Sequence, residues 1–213
     1  MSRHPESGAR SPRDFYETPQ GVIEPLIAEL EAHEHFSRWR DLRILDAGAG
    51  RGVLAGAARL AWPDAHITAI ELDRQHAPEL MVPADEPIVG DFLEHRPDQG
   101  YHLIIANPPF STVEAFARRA LALPAANPWS QPPIVAFLVN DHFLGSDDRY
   151  DFWAQHERTH QRDLAPRPSF SNGGSDSAEY AWIIWNGPET MPAFRHYLWR
   201  ITGKRARRTS GGI

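Results

Sequence analysis

Cysteine is absent from the 213 residues, which excludes a disulfide and any thiolate zinc site. Lysine is almost absent: Lys204 stands alone and every other cation is an arginine. No stretch approaches the roughly 18 consecutive apolar residues of a membrane span, so none is expected. Met1 to Arg13 is polar and has no apolar h-region, so it does not read as a signal peptide. Its Ser, Pro, Gly and Arg content predicts a disordered head over 1–13. A cytoplasmic setting is the default expectation.

What is present suits a folded enzyme-sized unit. With 41% apolar residues the chain fits one large domain, expected over 14–201, followed by a basic flexible tail over 202–213. The net charge of −6 is unevenly spread. Residues 1–110 carry 10 basic and 18 acidic side chains, and residues 111–213 carry 12 and 10. The planar guanidinium suits bidentate contact with phosphate and guanine edges, and Lys204-Arg205-Ala206-Arg207-Arg208 is a candidate polyanion contact or a solvated end.

The segment Ile104-Ile105-Ala106-Asn107-Pro108-Pro109-Phe110 organises the rest. The apolar run Leu103 to Ala106 reads as a buried strand that two prolines stop. Pro108 keeps Asn107 out of the helical region, and Pro109 does the same to Pro108. The outcome is a stiff turn that carries an amide and an aromatic ring forward at a strand's carboxyl end, where ligands bind in α/β sheets.

Upstream, Thr18-Pro19 reads as the cap and first residue of a helix running to about His35. Leu42 to Asp46 is a strand, Ala47-Gly48-Ala49-Gly50-Arg51-Gly52 a loop, and Val53 to Ala61 a helix, the opening of a doubly wound domain. The G-x-G-x-G spacing with Asp46 beside it differs from the dinucleotide fingerprint. An acid there repels a pyrophosphate and suits a cofactor carrying an amino group and a sulfonium. His66 to Glu71 is a second strand whose terminal acid is placed for a ribose diol. Asp73 is expected at the surface. Glu86 to Phe92 is a third strand; Asp91 can accept from an adenine amino group while Phe92 packs on the ring. An acid closes each of the first three strands.

Downstream, a helix is expected from Thr112 to Leu123, a strand from Ile134 to Val139, and a helix from Asp147 to about Gln155. An extended segment (164–170), a turn (171–175) and the strand Tyr180 to Trp185 suggest an antiparallel final pair. A closing helix is expected from Met191 to Ile201. His156-Glu157-Arg158-Thr159-His160 matches the zinc-protease pattern H-E-x-x-H, with Glu179 as a conceivable third ligand. Its polar surroundings and Pro166 and Pro168 argue for a solvated helix end instead, and no metal site is expected.

Together these residues resemble class I S-adenosylmethionine-dependent methyltransferases. Among them, Tyr16-Glu17-Thr18-Pro19, the Asp46 to Gly52 loop, Glu71, Asp91-Phe92 and Asn107 to Phe110 resemble the amino-methylating DNA enzymes. Their order is that of the adenine-N6 class. Arg167-Pro168-Ser169-Phe170, the 173–176 turn and Tyr180 to Trp185 look like small enzymes of phages and mobile elements. The resemblance implies a Rossmann-like, doubly wound, seven-stranded, mostly parallel sheet with an antiparallel final strand and helices on both faces. It implies that Asp46, Gly48 and Gly50 hold the methionine end of S-adenosylmethionine and Glu71 the ribose. Asp91 and Phe92 would take the adenine, with Leu72 also among the cofactor-binding residues and Tyr16 and Thr18 closing over the carboxylate. Asn107 and the Pro108 carbonyl would bind the acceptor amine, and Phe110 would stack on the flipped base. The implied partner is nucleic acid, DNA before RNA, with no membrane. Guanine-N2 methylation of RNA, protein-glutamine methylation, and a non-catalytic cofactor-fold module stand as alternatives.

Overall fold

A computed structural model of the chain describes residues 17–32, 41–126, 132–145, 147–165, 167–168, 170, 178–187 and 199–200. The expected head, Tyr16, the turn at 171–175, most of the closing helix and the basic tail lie outside these residues.

Helix α1 (Glu24–Glu31) precedes strand β1 (Arg43–Ala47), helix α2 (Val53–Ala61) and strand β2 (His66–Glu71). Then come the short helix α3 (Ala77–Leu80), β3 (Glu86–Val89), β4 (Leu103–Ala106), helix α4 (Val113–Leu121) and β5 (Ile134–Asn140). Helix α5 (Tyr150–Gln155), β6 (His160–Ala165), β7 (Tyr180–Trp185) and the two-residue β8 (Trp199–Arg200) complete the order. The strands form one sheet in the order β3-β2-β1-β4-β5-β7-β6-β8.

β1 to β5 are parallel, β7 runs antiparallel to β5 and β6, and β8 extends the edge beside β6. The expected seven-stranded Rossmann-like sheet is therefore present, with β8 as an eighth short strand. Its central strands read as unbroken apolar runs because helices cover both faces. α1 and α2 bring Leu26, Leu30, Leu54, Ala55 and Ala58 against one face. α4 and α5 bring Phe116, Ala117, Ala120 and Phe152 against the other. All four residues of β4 are fully buried. At about 1.5–3 kcal/mol for each large aliphatic side chain, that strand is a fixed post for whatever follows it.

Several boundaries differ from expectation, among them β6, which occupies His160–Ala165 where an extended segment was expected at 164–170. α1 starts at Glu24, with Ile23 as N-cap and a proline in its first turn. Thr18 caps nothing, because Gly21 at φ +81° turns the chain between them. β3 stops at Val89, so Asp91 sits beyond the strand as the cap of a short 3₁₀ turn. Residues 199–200 are strand, not the end of a closing helix.

Candidate active site

Between Ala47 and Val53 the chain must leave a buried strand and enter α2 at once. Gly48, Gly50 and Gly52 supply positive φ angles of +73°, +54° and +76°, a region that costs an L side chain roughly 1–2 kcal/mol. A Cβ at Gly48 would also stand 3.2 Å from Phe116 Cε1. The Gly48 and Ala49 amides both donate to the Ile70 carbonyl, at 2.9 and 2.8 Å. The loop is thereby tied down over β2.

Glu71 reinforces that tie. Its Oε2 accepts from the Gly50 amide at 2.7 Å and its Oε1 from the Asp73 amide at 2.8 Å. Each oxygen keeps a second lone pair for a ligand. Asp46 departs from expectation. It lies mid-sheet, in register with Ala69 and Ile105, and is fully buried. Its Oδ2 accepts from the Ala55 amide at 2.9 Å, one of the orphan donors of a helix start. The N-cap of α2 is a glycine with no side chain to offer, so the strand supplies the cap. Oδ1 is buried without a hydrogen-bond partner. Burial raises the Asp46 pKa from 3.8 to about 7; the Ala55 amide opposes that rise and the charge of Glu71 adds to it. Asp46 thus holds the loop from beneath rather than lining the cleft.

On the far wall, Asp91 Oδ1 accepts from the Leu93 amide at 2.9 Å. Phe92 is only 2% exposed and packs on Phe116 at 4.9 Å, so it forms wall rather than an open stacking ring. Leu72, 58% exposed, offers the bare apolar surface.

Opposite, β4 delivers Asn107. Its Nδ2 donates to Thr18 Oγ1 at 3.1 Å. Thr112 closes the proline turn through its amide and hydroxyl, both donating to the Pro109 carbonyl. Among the described residues no hydrogen bond reaches the buried Pro108 carbonyl. Phe110 is half-buried and leans on Tyr180, ring centres 6.3 Å apart.

These walls enclose a cavity of about 380 Å³, a size that suits a small-molecule or cofactor site. Thr18, Gly48, Gly50, Glu71, Leu72, Asp91, Phe92 and Asn107 all line it; Asp46, Pro108 and Phe110 do not. It opens at the carboxyl ends of the strands where β1 and β4 are neighbours and the strand order reverses, the usual ligand position in such sheets. Asp73, read from the sequence as a surface acid, lines it too, as do Arg51, His76 and Phe116. Phe116 sits at core spacing in α4, and only the contact with Gly48 reveals that it backs the loop.

The lining fits a cationic methyl donor. Among the described residues Glu17, Glu71, Asp73 and Asp91 face the cavity with Arg51 as the one arginine, itself 3.7 Å from Glu79. The glycines leave backbone bare where a Cβ would crowd a ligand, and Leu72 offers apolar surface to a purine.

The remaining motif does not assemble. α5 ends at Gln155, and His160 opens β6 with 3% exposure, its Nδ1 beside Thr159 Oγ1 at 2.8 Å. His156 and His160 therefore share no helix face, which removes the zinc-protease reading. It equally corrects the solvated helix end expected there.

Residues 26–123 match the family described as methyltransferase small domain. The chain has the fold of class I S-adenosylmethionine-dependent methyltransferases. Among solved structures, a class I methyltransferase-like protein of Listeria monocytogenes aligns over 85% of this chain and 64% of its own, with 14% identity and a TM-score of 0.56. This chain thus spans under two thirds of that protein. An RNA-methyltransferase-like protein of Pyrococcus horikoshii aligns over 87% and 92%, with 16% identity and a TM-score of 0.56. An Agrobacterium tumefaciens protein described as a predicted O-methyltransferase aligns over 85% and 89%, with 20% identity and a TM-score of 0.53. No curated protein matches the chain in sequence. S-adenosylmethionine is the cofactor of this family and fold. No helix among the described residues is long and apolar enough to cross a membrane.

Proposed function

We propose that this protein transfers a methyl group from S-adenosylmethionine to the exocyclic amine of a nucleic-acid base, adenine N6 in DNA, with residues 14–201 acting as one domain. The observation that carries this reading is the shared cavity. Asn107, at the tip of a buried strand and followed by two prolines, faces the same space as Gly48, Gly50 and Glu71.

Bound there, S-adenosylmethionine supplies an electrophilic methyl group on a sulfonium. Gly48 and Gly50 would lie along its methionine end, Glu71 would take the ribose, and Leu72 and Asp91 the adenine. The acid rim favours the positive charge. The acceptor is the harder half, because an aromatic amine's lone pair is delocalised into its ring. Two carbonyls that accept its N–H groups, Asn107 Oδ1 and Pro108 O, draw the nitrogen towards sp³ and turn its lone pair to the cofactor. With the lone pair so aimed, the bound donor would give up its methyl group to the nitrogen as its own S–C bond broke, and the nitrogen would shed a proton to water. Positioning and electrostatics do this work, with no strong base required. Phe110, half-buried against Tyr180, is the ring for a flipped base.

The neighbours leave the acceptor open, since their descriptions name RNA and oxygen acceptors. The choice of adenine rests on the Asn-Pro-Pro-Phe turn and the order of the motifs. The test is label transfer to duplex DNA and to the same duplex with every adenine replaced by purine, which lacks the amino group. Label in the first and none in the second is expected. Equal label in both, or label only in RNA guanine, rejects the adenine assignment.

A further inference from the structure

Capping alone does not account for Asp46. An uncharged asparagine caps a helix as well and carries no charge into the interior. Yet a carboxyl stands here with no exposed surface. Oδ2 caps α2, while Oδ1 is buried and accepts no hydrogen bond among the described residues, although buried polar atoms are nearly always paired. The cavity wall brackets this group. Gly48, two residues on, and Val53, two residues before Ala55, both line the cavity, as does Glu71 at the end of β2. Gly48 and Gly50 put no side chain between the loop and whatever lies on it.

The charged groups on the surrounding elements leave Asp46 without a counter-ion. β2 sets Glu71 against it and keeps His66 at its other end, beside Glu86. Arg51 of the loop is drawn to Glu79, and Arg59 of α2 to Asp85. β4 is wholly apolar. α1 carries Glu24, Glu29 and Glu31, of which Glu29 pairs with Arg162. Glu17, Asp73 and Asp91 add negative charge around the cavity. Burial first, and Glu71 after it, push the carboxyl up to about 7, and no cation opposes them.

A cofactor on the loop changes that balance. S-adenosylmethionine carries one positive charge more than the product it leaves, because loss of the methyl group turns the sulfonium into a thioether. A positive charge above the loop favours the ionised carboxyl beneath it, and loss of that charge favours the protonated one. We propose that Asp46 is a positioning residue whose charge follows the occupant of the cavity: ionised beneath the cationic donor, protonated beneath the thioether product, so that the site prefers donor to product. The Asp46 proton passes to solvent when donor binds and returns from solvent after transfer. This inference rests on the placing of the cofactor over Gly48 and Gly50 and is independent of the acceptor.

The test is calorimetric titration of the full chain with S-adenosylmethionine and with S-adenosylhomocysteine, in buffers of different ionisation heat, which counts the protons released. For an added charge that favours ionisation about tenfold, donor binding near pH 6.5 should release about half a proton more than product binding. On the same basis the donor Kd should tighten about fivefold relative to the product Kd from pH 6 to pH 8. Asp46→Asn should still bind donor but lose both effects; the amino group of the ligand titrates equally with either protein and cancels between them. Equal proton release for donor and product would overturn the proposal, and these two arms need no variant. So would a release difference that persists in Asp46→Asn, or a donor preference that is flat with pH in the unaltered chain. Gly48→Ala separates this inference from the placing beneath it. Donor held as tightly by that variant as by the unaltered chain puts the cofactor elsewhere, and both fall. Donor weakened by it, yet bound to the unaltered chain with no extra proton released, removes the role of Asp46 alone.

Discussion

Asp46→Asn isolates the most strained electrostatic feature of the site. In the folded chain the carboxyl pKa rises from 3.8 to about 7, because burial disfavours the charged form and the Ala55 amide only partly offsets it. The folded state therefore holds a proton that the unfolded chain releases between those two values. Stability falls as pH rises across that window and levels off above it. At 1.36 kcal/mol per pKa unit, the loss from this one group is about 4 kcal/mol. Asparagine keeps a carbonyl for the Ala55 amide and removes the titration. The assay is urea denaturation of both proteins from pH 4 to 8. Their stability difference should drift by several kcal/mol in favour of the variant as pH rises from about 4, levelling off near pH 7. Parallel curves would refute the reasoning, and would mean that Asp46 is solvated or paired in the fold.

Asn107→Ala is expected to reduce methyl transfer on the order of 10²–10³-fold, as for removal of a preorganised transition-state partner, with cofactor Kd changed less than about threefold by calorimetry. Glu71→Gln leaves an amide NH₂ facing either the Gly50 or the Asp73 amide, so cofactor affinity should fall roughly tenfold or more. Gly48→Ala meets positive φ and the Phe116 ring together; a loss of about 1–2 kcal/mol should lower Tm by a few degrees in thermal denaturation, with weaker cofactor binding. Glu29→Ala strands the fully buried Arg162 and should cost about 3–5 kcal/mol in denaturant unfolding.

The sheet was legible wherever a strand is an unbroken apolar run. β2, β4 and β7 begin and end where the sequence places them, as does α2. The glycine loop and the Asn-Pro-Pro turn were legible because backbone geometry forces those residue types. β6 was not. Its buried positions include His160 and Arg162, so the alternation that marks a half-buried strand is carried by polar residues and stays hidden from a hydrophobic reading. The start of α1 was misplaced because Thr18-Pro19 has the chemistry of a cap, while Pro25 is the proline in the helix's first turn. Asp46 was legible as important but not in its role. Whether an acid after a strand faces ligand or helix depends on the N-cap, and a glycine at Gly52 leaves that duty to the strand. Asp73 was placed at the surface and Phe116 went unread as lining because a cavity wall is assembled from residues distant in sequence.

The most direct measurement is transfer of a tritiated methyl group from S-adenosylmethionine to DNA, RNA and protein in parallel, with Asn107→Ala as control and nucleoside analysis of the product. The expected result is label in DNA, recovered as N6-methyldeoxyadenosine and lost with Asn107. Label that persists in Asn107→Ala, or none in any of the three acceptors, would contradict the pairing of this amide with the cofactor cavity.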